Sequence, residues 1–92
     1  MSAERKAIPL SPDHAALAVA VREAIAANEG MTQKTLASDS GLTPKQISEI
    51  VLGQANPTYL NLLKLSAGLK TSLGALMVRA DELREDPPGK DG

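Results

Sequence analysis

Apolar residues recur at helical spacing in five separate stretches, and no stretch alternates with the period of a strand. The first stretch predicts a helix over residues 12–28, with Leu17, Val21, Ala24 and Ile25 along one stripe. Ser11-Pro12 opens it, a capping hydroxyl followed by proline at the first helical position, and Asp13 suits the positive end of the helix dipole. Asn28 and Gly30 offer left-handed stops. A second, short helix is expected over residues 33–40, capped by Thr32 and turned inward on Leu36 and Ala37. Gly41 supplies the positive φ needed to reverse the chain, and Leu42 is placed to staple the start of the third helix. That third helix, over residues 44–52, carries the clearest local signal in the chain. Thr43-Pro44-Lys45-Gln46 combines an N-cap, proline at the first position and the spacing of a capping box, and Gly53 marks the stop. A fourth helix is expected over residues 59–68, capped by Thr58, with Leu62, Leu65 and Leu69 buried and Leu63 and Tyr59 flanking. Gly68 costs this helix about 1 kcal/mol relative to alanine unless it serves as the stop. Ser72 starts a fifth helix over residues 73–83, apolar at Leu73, Leu76, Met77 and Ala80.

The reading is one all-α domain over residues 11–83, preceded by a flexible arm over residues 1–10 and followed by a disordered acidic tail over residues 84–92. Composition agrees with helices. The single aromatic residue is Tyr59 and there is no cysteine, so the core must be Leu, Ile, Val, Met and Ala, without disulfides or thiolate metal sites. His14 is the only histidine, and with no second His or any Cys beside it the residue reads as a solvated side chain. Met31 and Met77 read as gap-fillers. No apolar run reaches membrane-spanning length, which points to a cytoplasmic setting with no membrane partner. No nucleophile–histidine arrangement, glycine-rich phosphate loop or metal cluster is present, so neither an enzyme nor a bound cofactor is expected.

The formal net charge of −1 is unevenly divided. Residues 31–80 carry Lys34, Lys45, Lys64, Lys70 and Arg79 against Asp39 and Glu49, a balance of +3, while the tail is acidic. On the third helix Ile47, Ile50 and Val51 fall on one side, and Lys45, Ser48, Glu49 and Leu52 gather on the other with Gln46 at the edge. Two short helices hinged at Gly41 suit the presentation of the second to a DNA groove, where a small polar face can use hydrogen bonds.

The register Thr32-Gln33, Leu36-Ala37, Gly41-Leu42-Thr43, Ile47-Ser48, Ile50, Gly53, Pro57-Thr58, Leu62-Leu63-Lys64-Leu65 and Leu69 resembles the Cro and phage-repressor type of helix-turn-helix domain, the XRE family. The resemblance covers most of the chain and implies a compact, lambda-repressor-like five-helix bundle that binds double-stranded DNA, usually as a homodimer. It implies base reading from the positions of Pro44, Lys45, Ser48 and Glu49, with Thr43, Gln46 and Leu52 at the margins of the reading face. Phosphate contacts are implied at the start of the second helix, by Thr32, Gln33 and the adjacent Lys34, and at the loop into the fourth, by Asn56, Thr58 and Tyr59.

Three departures from the family pattern stand out. Pro44 replaces a frequent base-reading glutamine and has no donor to offer. Glu49 has two open roles, accepting from cytosine N4 or pairing with Lys45 four residues earlier. Ala26 and Val51 stand where many members bury an Arg–Glu pair, so both partners are absent together and an apolar contact can take their place. The leading expectation is a sequence-specific transcriptional regulator acting as a repressor. Two alternatives stay open: an antitoxin that docks a basic toxin on its acidic residues 81–91 and autoregulates its operon, and a protein-binding adaptor with little DNA affinity.

Overall fold

A computed structural model describes residues 8–85, which form five helices and, among the described residues, no strand. They are α1 (Pro12–Ala27), α2 (Gln33–Ser40), α3 (Pro44–Val51), α4 (Tyr59–Gly68) and α5 (Leu73–Glu85). Each of the four anticipated N-caps closes its helix. Ser11, Thr32, Thr43 and Thr58 accept from the backbone N–H three residues on, and Ser72 does the same for α5 through Ala75 N–H at 3.0 Å.

α1 packs against both α5 and α3, and α2 lies against α3 and α4. This central position explains a difference from the expected stripe. Val21 is buried, but so are Ala16, Ala18 and Ala20, while Leu17, Ala24 and Ile25 are only half-buried. A helix clasped on two sides buries more than one stripe, and alanine on the second side lets the neighbouring helix approach closely. The rest of the core is Leu36, Leu42, Ile47, Ile50, Val51, Leu65, Leu69, Leu76 and Leu83 with small contributions from Ala37 and Ala80. On α4, Leu65 and Leu69 are buried as expected, Leu62 is half-buried, and Tyr59, Leu60 and Leu63 face outward.

Helix ends differ from the sequence expectation at three places. α1 stops at Ala27, and of the two left-handed positions expected after it Gly30 takes φ +82° while Asn28 is extended (φ −100°). Its carboxamide instead donates to Ala24 O at 2.8 Å and Leu69 O at 3.1 Å, tying the end of α1 to the end of α4. α4 is closed by Lys70 at φ +62°, with Lys70 N–H on Ala67 O and Thr71 N–H on Ser66 O, both at 3.1 Å. This is the double bond pattern of a Schellman motif, and Gly68 is not its left-handed residue. α5 is helical to Glu85, the last described residue and two beyond the expected end, and Arg84 in this last turn bonds Asp81 and Asp13 of α1.

Residues 8–10, assigned to the arm, lie across the end of α3. Leu10 N–H donates to Gly53 O at 2.9 Å, Gln54 donates to Ile8 O, and Pro9 covers Gly53 so closely that a Cβ there would meet Pro9 Cβ at 2.8 Å. The remainder of the expected arm, residues 1–7, and the tail from residue 86 lie outside the described residues. No helix among the described residues is long and apolar enough to cross a membrane.

Candidate nucleic-acid interface

The hinge between α2 and α3 is built from local chemistry. Gly41 takes φ +80° and closes α2 through its N–H on Ala37 O at 3.1 Å. Ser40, itself buried, donates to Ala37 O at 3.3 Å and accepts from Leu42 N–H at 3.2 Å, so the turn carries its own hydrogen bonds. Leu42 is 5% exposed beneath the start of α3, where a staple was expected. α3 then begins with a reciprocal capping box: Thr43 Oγ1 accepts from Gln46 N–H at 3.0 Å, and Gln46 Oε1 accepts from Thr43 N–H at 2.8 Å. Ile47, Ile50 and Val51 anchor its inner face in the core. Both ends and one face of this two-turn helix are therefore held, which an eight-residue helix needs because propensity alone cannot sustain it.

On the outer face Lys45 is open, its side chain 84% exposed, and lies 3.6 Å from the Glu49 carboxylate. Of the two roles left open for Glu49, the structure displays the pairing. Ser48 is half-buried between them. Thr43 and Gln46 have spent one polar atom each on the cap, and Gln46 retains its Nε2 as a donor. A cleft of about 330 Å³ runs between α3 and the start of α4, lined by Gln46, Glu49, Gln54, Asn56 and Asn61. Gln54 and Asn61 were absent from the sequence-derived site. Their only sequence signal is a concentration of carboxamides around Pro57, which gains meaning once the loop folds back beside α3.

Thr32 caps α2 together with Thr35, whose hydroxyl accepts from Thr32 N–H at 2.9 Å. Gln33 and Lys34 are exposed beside this helix start, and their N–H groups lie outside the Thr32–Thr35 capping pair, an arrangement that suits an anion. Thr58 caps α4 by accepting from Asn61 N–H at 3.1 Å, and Tyr59 is 70% exposed at its first position. Asn56 sits just before, and its Oδ1 is held by His14 Nε2 from the start of α1. His14 is thus no freely solvated residue. It is half-buried, with its other ring nitrogen 2.6 Å from Ser11 Oγ.

Among the described residues, two of the five cations in the basic middle of the chain have acidic partners. Lys45 pairs with Glu49, and Arg79 makes bonds of 2.7 and 2.9 Å to the two oxygens of Glu23 and one of 3.1 Å to Glu82. The Arg79 fork holds the Glu23 carboxyl below its ordinary pKa, chiefly through the hydrogen bonds. Asp81, with Glu82 part of the expected toxin-docking segment, is likewise taken by Arg84. Where the family's buried Arg–Glu pair would lie, Val51 is buried and Ala26 is exposed. Arg22, one turn earlier on α1, donates instead to the Val51 carbonyl at the end of α3.

The sequence matches the family described as "Helix-turn-helix" over residues 21–76. Among solved structures, the restriction-modification controller protein C.AhdI from Aeromonas hydrophila is similar at 32% identity and a TM-score of 0.68, the match covering 72% of this chain and 98% of that one. The clp gene regulator ClgR from Corynebacterium glutamicum is similar at 25% identity and a TM-score of 0.74, covering 84% of this chain and 81% of that one. A second structure of ClgR matches at 26% identity with a TM-score of 0.69, over 76% of this chain and 90% of that one. No curated protein sequence gives a significant match.

Proposed function

Since the chain belongs to the XRE-type helix-turn-helix family, we propose that it is a sequence-specific double-stranded-DNA-binding transcriptional regulator, a repressor that occupies its operator with α3 in the major groove. The observation that carries this reading is the rigid, capped α3, with three apolar anchors in the core and Lys45, Ser48 and Glu49 turned outward. The regulators of known structure that it resembles add support.

Lys45 is the leading base contact, addressing guanine O6 and N7. An exposed pair four residues apart stabilises a helix by only about 0.3–0.5 kcal/mol, so Lys45 leaves Glu49 at little cost when a base edge is offered. Glu49 then becomes free to accept from a cytosine N4. Ser48 and the remaining donors of Gln46 and Thr43 serve at the edges of the face. The starts of α2 and α4 act as phosphate seats, through backbone N–H groups with Thr32, Gln33 and Lys34 at one and Asn56, Thr58 and Tyr59 at the other. The outward apolar side chains Leu60 and Leu63 on α4, with Val78 on α5, favour a homodimer that sets the spacing of two half-sites.

Selection of bound duplexes from a random library, with the mass of the protein measured in solution, tests the reading. The expected result is a two-fold related motif, and binding that weakens steeply with salt. Lys45→Ala relaxes preference at one position by roughly 1–3 kcal/mol. An enriched pool with no motif, or unchanged preference in Lys45→Ala, would refute this assignment of the reading face.

A further inference from the structure

His14 and Asn56 are 42 residues apart in the chain and meet where the start of α1 faces the loop into α4. The hydrogen bonds around the imidazole form a consistent set. Asn56 Oδ1 can only accept, so His14 Nε2 carries the proton and donates to it. Nδ1 then accepts from the Ser11 hydroxyl at 2.6 Å, and the same hydroxyl accepts the His14 backbone N–H at 3.2 Å as the α1 cap. Both ring nitrogens of His14 and the Ser11 hydroxyl are thereby engaged. The carboxylates on this edge are occupied elsewhere, since Arg84 bonds both Asp13 and Asp81, which leaves the imidazole to the carboxamide.

An exposed asparagine ordinarily samples several rotamers and both amide orientations, and ordering it on binding costs affinity. With Oδ1 held by His14, the free end of the Asn56 carboxamide is Nδ2, a donor beside the start of α4. We propose that His14 is a positioning residue for DNA binding: it orients Asn56 so that Nδ2 donates to a backbone phosphate. The inference rests on the DNA-binding reading above and adds to it a residue that touches no DNA. It also explains why a lone histidine stands at the first turn of α1, far from α3 in sequence.

Binding of short mixed-sequence duplexes, followed by fluorescence anisotropy with a thermal melt for each variant, tests the proposal. A phosphate contact acts on every sequence alike, so no operator is needed. Asn56→Ala is expected to weaken binding roughly tenfold, as for a lost hydrogen bond to a charged group. His14→Leu, similar in volume but without a donor, is expected to produce most of that loss. The double variant is expected to bind no more weakly than Asn56→Ala alone, because the two residues act through one contact. His14→Gln, which keeps a donor nitrogen near the Nε2 position, restores binding to within about twofold of the wild type. Because Asn56 is neutral, the salt slope is expected to stay constant across the series. Losses that multiply in the double variant would overturn the proposal, as would full binding by Asn56→Ala or no rescue by His14→Gln. Failure of the wild-type protein to bind any duplex in a salt-dependent way would instead remove the DNA-binding reading itself, and this inference with it.

Discussion

Gly68 of α4 packs so closely against Ser40 of α2 that a Cβ built on Gly68 would lie 2.8 Å from Ser40 Cβ and 2.9 Å from Leu36 Cδ1. Ser40 is also the residue whose hydroxyl braces the turn into α3. The close approach of α4 therefore supports the hinge that aims the candidate reading helix. Gly68→Ala is expected to lower stability by about 1–3 kcal/mol through overpacking, measured as a fall in the midpoint of denaturation. A neutral or stabilising result would mean that α2 and α4 can separate without cost.

Lys70 is the counterpart of that glycine. It holds φ +62° in the closing motif of α4, while the same motif at the end of α3 uses Gly53 at φ +73°. A left-handed lysine is strained by its Cβ, so Lys70→Gly is expected to raise stability by about 1 kcal/mol, less any loss from the freer unfolded chain. The check is thermal unfolding of the two proteins side by side, with a lower midpoint for the glycine variant counting against the motif.

Glu49 puts a carboxylate on the candidate face, paired with Lys45. Replacing it by glutamine removes an anion from the surface proposed to meet DNA and frees Lys45 from its 3.6 Å partner. Glu49→Gln is expected to bind mixed-sequence DNA several-fold more tightly at low salt, with the advantage shrinking as salt rises. Weaker binding to all sequences would argue that Glu49 serves Lys45 by orienting it.

Glu23 couples stability to acid. Its carboxyl is held below the ordinary value of 4.5, first by the hydrogen bonds from Arg79 and then by the charge of that guanidinium. A depressed carboxylate contributes stability that is present above its unfolded pKa and lost as pH falls through the folded one. The wild type should therefore lose stability faster than Glu23→Gln below about pH 4.5, while the two run parallel above it. The pair is exposed, so the divergence is small and calls for denaturant titrations at several pH values.

Much of the fold could be read from local signals. The caps at Ser11, Thr32, Thr43 and Thr58, the reversal at Gly41 and the anchors Ile47, Ile50 and Val51 all stand in the structure as anticipated. Each depends on residues within one turn of each other or on a short helical period, so the chain carries the information without its neighbours. The individual roles proposed for Lys45, Ser48 and the phosphate seats depend on the bound DNA and follow from their places at helix starts and on the outer face of α3.

Other features were hidden because they join distant parts of the chain. Gly68 looks in sequence like a helix stop, and only the approach of α2 makes it a packing contact. Nothing in the sequence pairs His14 with Asn56, Arg22 with the Val51 carbonyl, or Asn28 with the end of α4. By itself the sequence determined the five helices, their caps and the face that α3 turns outward, since these are local balances of hydrogen bonding, backbone freedom and apolar period. The tertiary structure decided which polar groups remain available at that face, because a donor or charge is free only when no residue brought in from elsewhere has already taken it.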